Sequence, residues 1–221
     1  KTWGEEARQS GRPMYAWCYL GHIYRAFADA GNFHCFPGFF SHAISKEMKL
    51  FKSYGYRGMF HCGIPPEIDT YVLFRLMDDA DLDVDAVLDE YFTGLYGAAA
   101  APIKKFYLAV EQVYCDPKLR PLGKGNEAFT VETAWGLLGT AERMAGYAKL
   151  VDEARALART EREKKNVALF DLSIWQYMKQ GREKYVTRKE APIPKVSVPI
   201  MPAVNGDAGK VAWEQAAPLA G

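Results

Sequence analysis

The stretch that decides the fold is Met14-Tyr15-Ala16-Trp17-Cys18-Tyr19-Leu20, echoed further on by Arg57-Gly58-Met59-Phe60-His61-Cys62. The first run is short, apolar and rich in aromatics, with Pro13 before it and Gly21 after it, which is the signature of a buried strand. The second is closed by Gly63 and the pair Pro65-Pro66. Between them Ser41 is placed to cap a helix that carries Ile44, Met48 and Phe51 on one face, and Gly55 is placed to end it. Strand, helix, strand implies a parallel crossover. Alternation along the first strand sends Tyr15, Trp17 and Tyr19 to one face and Met14, Ala16 and Cys18 to the other. Two parallel strands leave both sheet edges open. A (β/α)8 barrel takes about 250 residues, so the chain offers only its last units.

Working outward, residues 79–190 read as helical. Val84, Val87, Leu88, Tyr91, Phe92 and Leu95 form one stripe, with Gly97 at the C-cap. Ile103, Phe106, Tyr107, Val110 and Tyr114 line a second helix starting near Pro102, and Val131, Trp135, Leu138, Ala145 and Ala148 a third. A fourth opens on the capping box Thr160-Glu161-Arg162-Glu163 and buries Phe170, Ile174, Tyr177 and Met178. Trp135 and Trp175 read as core. Residues 191–221 begin with the stiff Ala191-Pro192-Ile193-Pro194-Lys195 and end in a stretch resembling the opening of another domain. The expected fold class is an α/β fragment, mostly α. Residues 1–78 supply the last βα units of a (β/α)8 barrel and 79–190 a helical domain. Residues 191–221 supply a linker and the start of a β-sandwich module. On this reading the chain is the carboxy-terminal portion of a larger protein.

Composition narrows the function. A formal charge of +1 gives no concentrated positive field for phosphates, and the basic residues Arg162, Lys164 and Lys165 are interleaved with Glu161 and Glu163. No nucleic-acid role is expected. No apolar run approaches the roughly 20 residues of a membrane span, and Lys1-Thr2-Trp3-Gly4-Glu5-Glu6 is no signal peptide. The cysteines 18, 35, 62 and 115 show no CxxC spacing. His22, His34, His42 and His61 match no HxxH or HExxH pattern, so no metal or cofactor is expected.

Three runs, Cys35-Phe36-Pro37-Gly38-Phe39-Phe40, Gly55-Tyr56-Arg57-Gly58-Met59-Phe60 and Pro66-Glu67-Ile68-Asp69-Thr70-Tyr71, carry a family resemblance. With Asp83-Val84-Asp85-Ala86-Val87-Leu88-Asp89-Glu90-Tyr91-Phe92 and Tyr96-Gly97-Ala98-Ala99-Ala100, they resemble the bacterial domain-of-unknown-function family 4838 over residues 12–187. The resemblance implies an α-glucuronidase-like glycoside hydrolase, extracellular or periplasmic, with a barrel followed by a helical domain. The tail, Asn205-Gly206-Asp207 with Ala212-Trp213, is similar to the opening of carbohydrate-binding modules. Some relatives carry a carboxylate where this chain has His61.

In barrels the chemistry sits at the C-terminal strand ends. Glycoside hydrolysis needs two carboxylates flanking the bond. Glu67 at the mouth of the second strand reads as catalytic, or else as a carboxylate complementing the next helix dipole. Asp69 reads as a helix N-cap that also reaches substrate, and Glu47 as lying on an exposed helix face. His61 reads as a proton-relay partner or sugar-hydroxyl ligand, and Trp17, Tyr19 and His22 as substrate-binding, the aromatics offering flat apolar bodies to a sugar ring. The expected partners are an oligosaccharide or polysaccharide, of plant or algal origin, and the remainder of the chain's own polypeptide. A non-catalytic glycan-binding or scaffold protein, and a helical protein-binding module, remain as alternatives.

Overall fold

The computed structural model describes residues 2–18, 34–62, 67–119 and 130–190. Within them two strands, β1 (Met14–Cys18) and β2 (Tyr56–His61), pair in parallel, with Trp17 opposite Phe60 and Cys18 opposite His61. β1 is described as far as Cys18, whereas β2 ends at His61, one residue short of the expected Cys62, whose amide still donates to the Cys18 carbonyl at 2.8 Å. A short helix not foreseen from the sequence, α1 (Thr2–Ser10), precedes β1.

Helix α2 (Ser41–Ser53) joins the strands. Its N-cap is Phe40, not Ser41, and Phe40 offers no side-chain oxygen. Ser41 is instead a buried first-turn residue whose hydroxyl is used elsewhere. At the other end Gly55 takes φ +81°, the left-handed conformation that costs a residue with a Cβ about 1–2 kcal/mol. Of the expected stripe, Ile44 is buried and Met48 packs against the core, while Phe51 is half-buried against the Tyr56 ring.

Next come α3 (Glu67–Asp78), α4 (Val84–Tyr96), a 3-10 turn at Gly97–Ala99, and α5 (Ala100–Cys115). Asp83 caps α4 by accepting from the Asp85 amide, and Gly97 ends it at φ +51° as its position in the sequence implied. The expected third helix is two pieces. A π-helical segment at Thr133–Leu138 leads through Gly139 into α6 (Ala141–Leu157), capped by Thr140. That break resets the helical phase, so Met144, Tyr147, Val151 and Ala154 face inward and Ala145 is exposed. The capping box forms as expected at the start of α7 (Glu161–Phe170). A second π-helical segment, Asp171–Trp175, passes into α8 (Gln176–Glu190).

The architecture is therefore mostly helical with a small parallel sheet. One hydrophobic cluster runs from Phe36 and Ile44 to Tyr185. At its centre Phe106 is fully buried, edge-on to Phe170 with centroids 4.9 Å apart and 5.2 Å from the Tyr147 ring. Trp135 is fully buried and Trp175 nearly so, both in the core as expected. The Trp135 indole N–H donates to the His34 carbonyl at 2.5 Å, which ties the approach to α2 onto the helical layer. Among the described residues no helix is long and apolar enough to cross a membrane. Residues 191–221, read as a linker and the start of a carbohydrate-binding-like module, lie outside the described residues.

Candidate functional site at the strand ends

The two faces of the sheet differ. Met59 packs on the core, and Cys18 lies within electrostatic reach of Glu47 on α2, so one face is turned to that helix. The other face holds Tyr15, Trp17 and Phe60, which are 66%, 65% and 55% exposed. The Trp17 and Phe60 rings tilt against each other with centroids 4.7 Å apart. Tyr15 lies across Gly58, 3.4 Å from where a Cβ would stand, so the glycine leaves room for the ring. The result is an open aromatic shelf of three side chains beside the C-terminal strand ends. Alternation, which separated Trp17 from Cys18 in the sequence, also separates Phe60 from His61. His61 is half-buried and shares the Met59 and Cys18 side of the sheet. Glu47, expected on an exposed helix face, is half-buried, and its charge adds to burial in raising the Cys18 thiol.

The N-termini of α2 and α3 lie side by side, and carboxylates from other helices cap α2. Asp69 is not the N-cap of its own helix, because α3 already begins at Glu67. Its fully buried carboxylate accepts the Ser41 hydroxyl at 2.6 Å and the Phe40 amide at 3.3 Å. Burial pushes the Asp69 carboxyl up to about 7; the hydrogen bonds from Ser41 and Phe40 oppose that rise and the Glu111 charge adds to it. Glu111 on α5 accepts the His42 amide at 2.8 Å and meets His42 Nδ1 at 2.6 Å. On the ring's far side, Nε2 stands 3.5 Å from Asp85 on α4. The hydrogen bond to Glu111 is the main cause holding the imidazole above its ordinary value. The spacing of the histidines in the sequence does not single out His42. Its partners are 43 and 69 positions away along the chain, and no local spacing announces them.

Glu67, the first residue of α3, is exposed. The Tyr91 hydroxyl donates to it, and its charge reaches Tyr96 as well. Both phenols are held above their ordinary range, chiefly by burial and then by Glu67. The structure thus brings Glu67 against two α4 tyrosines and sets Trp17 beside Phe60. It directs Asp69 inward to hold α2. Tyr19 and His22 lie outside the described residues. A cleft of about 180 Å³ opens between Met48, Tyr56, Met59 and Met77, beside the start of β2 and away from these groups. Among the described residues no group of three His, Cys, Asp or Glu side chains is arranged to hold a metal ion.

Residues 14–109 match the model of a protein family described as a domain of unknown function (DUF4838). The matched segment resembles that family and contains both strands, α2 to α4 and the shelf. It ends inside α5, short of the residue 187 to which the resemblance was read from the sequence. No curated protein and no solved structure matches the chain.

Proposed function

We propose that this chain carries the last strands of a (β/α)8 barrel of a glycoside hydrolase acting on a plant or algal polysaccharide. One observation carries the reading. The sheet face turned away from α2, the face that would line a barrel, presents the Trp17–Phe60 shelf at the strand ends. Sugar rings stack their C–H faces on such surfaces. Both edges of the two-strand sheet stand open among the described residues, and the remaining strands of the same polypeptide would close them. Glu67 is a carboxylate with solvent access at this end and serves as acid or nucleophile. His61 relays a proton or holds a sugar hydroxyl, with Tyr19 and His22 completing the sugar site. Extracellular or periplasmic localisation goes with a polymeric substrate.

A second reading, a non-catalytic glycan-binding protein, is favoured by the burial of Asp69, which leaves Glu67 without an accessible carboxylate partner in the first turn of α3. The test compares reducing-sugar release by the polypeptide carrying the complete barrel with that of its Glu67→Gln variant. The proposal expects turnover to fall at least 100-fold at an unchanged melting temperature, as for loss of a general acid. Unchanged turnover would remove Glu67 from the chemistry, and binding without product release would favour the second reading.

A further inference from the structure

We propose that His42 is a pH-controlled joint, tying α2 to α4 and α5 while its ring is doubly protonated and releasing α4 when the ring loses a proton. This inference does not depend on the proposed activity. Its basis is that both ring nitrogens face carboxylate oxygens on different helices: Nδ1 faces Glu111 on α5 at 2.6 Å and Nε2 faces Asp85 on α4 at 3.5 Å. An imidazolium donates from both nitrogens, whereas a neutral imidazole has one donor and would aim a lone pair at one carboxylate.

Geometry also says which contact yields. Glu111 is nearly buried and accepts the His42 backbone amide, so it stays in place whatever the charge of the ring. Asp85 holds by the longer contact, and its side chain is 61% exposed. A neutral ring keeps its proton on Nδ1 for Glu111 and turns a lone pair toward Asp85, at the start of α4. From α3, the neighbouring titratable group is Asp69, which faces Ser41 and Phe40. α2, α3 and α4 thus meet at the end of the sheet where Glu67 sits, and loosening α4 moves the helix that carries Tyr91 and Tyr96.

The sign of the linkage is set by the raised value of His42. Its stabilisation is complete below the ordinary 6.5 and is lost as pH rises past the folded-state value. The Asp69 contribution falls between 3.8 and about 7, so above pH 7 the two separate. The experiment follows the His42 ring by NMR, and the melting temperature, across pH 6 to 9 in the full chain, in Asp85→Asn and in His42→Gln. Expected are a His42 midpoint above 6.5 and a melting temperature that falls as the ring titrates. In Asp85→Asn the midpoint moves down and the fall is shallower, and in His42→Gln it is flat above pH 7, where Asp69 no longer contributes. A wild-type midpoint at or below 6.5, or the same fall in Asp85→Asn as in the wild type, would overturn the proposal. The exposed Asp85 position keeps that arm usable if His42→Gln does not fold.

Discussion

Replacing Asp69 by Asn removes a charge from a site that has no water to offer it. Asp69 is fully buried, and among the described residues no cation pairs with it; its partners are the Ser41 hydroxyl and the Phe40 amide. Its carboxyl rises from 3.8 to about 7. At about 1.4 kcal/mol per tenfold change in acidity, that rise makes the ionised form about 4 kcal/mol less favourable in the folded chain than in the unfolded one. Because the folded value is raised, stability is complete below pH 3.8 and is lost progressively as pH rises through about 7. Asn stays neutral throughout. It keeps one acceptor oxygen for Ser41 and weakens the bond from Phe40, at a cost of about 1 kcal/mol. The two stability curves therefore cross. The variant is less stable by about 1 kcal/mol near pH 4 and more stable by about 3 kcal/mol near pH 8. Urea unfolding at pH 4, 6 and 8 reads both. Parallel curves for the two proteins between pH 4 and 7 would refute the reasoning, because they would mean that the Asp69 charge is already well solvated.

Three further outcomes are expected. Phe106→Ala, at the fully buried centre of the aromatic cluster, costs about 3–5 kcal/mol in urea unfolding, and a loss under 1 kcal/mol would contradict the packing. Gly55→Ala meets no neighbouring atom, so its cost of about 1–2 kcal/mol is conformational, and calorimetry at fixed pH reads it as a lowered melting temperature. Trp17→Ala leaves stability within about 1 kcal/mol, since Trp17 is 65% exposed and a cross-strand pair such as that with Phe60 is worth at most about that much. The same variant weakens retention on immobilised polysaccharide, and equal retention would remove Trp17 from the sugar site.

What the sequence made legible was whatever repeats over a few residues. The apolar, turn-bounded runs Met14–Leu20 and Arg57–Cys62 announced the strands, and the stripe from Val84 to Leu95 with Gly97 after it announced α4. Local periodicity failed where the period itself changes. The π-helical segment at Thr133–Leu138 shifts the inward face, so Met144 and not Ala145 became core, whereas Phe170, Ile174, Tyr177 and Met178 stayed on the core side across Asp171–Trp175 as expected. It failed again where the partner is distant. Ser41 looked like a cap because caps are usually local, yet the oxygens that satisfy the start of α2 come from Asp69 and Glu111 on two other helices. At the site, residue types pointed to Trp17 and Glu67, but Phe60 became part of the shelf only through the strand register that sets it opposite Trp17.

The most direct test of the central claim is a crystal structure of the polypeptide carrying the complete barrel with a bound oligosaccharide. The account predicts a sugar ring stacked on Trp17 and Phe60, with a glycosidic oxygen or hydroxyl within hydrogen-bond distance of Glu67. A sugar seated elsewhere, with the Trp17–Phe60 face packed under other parts of the protein, would contradict it.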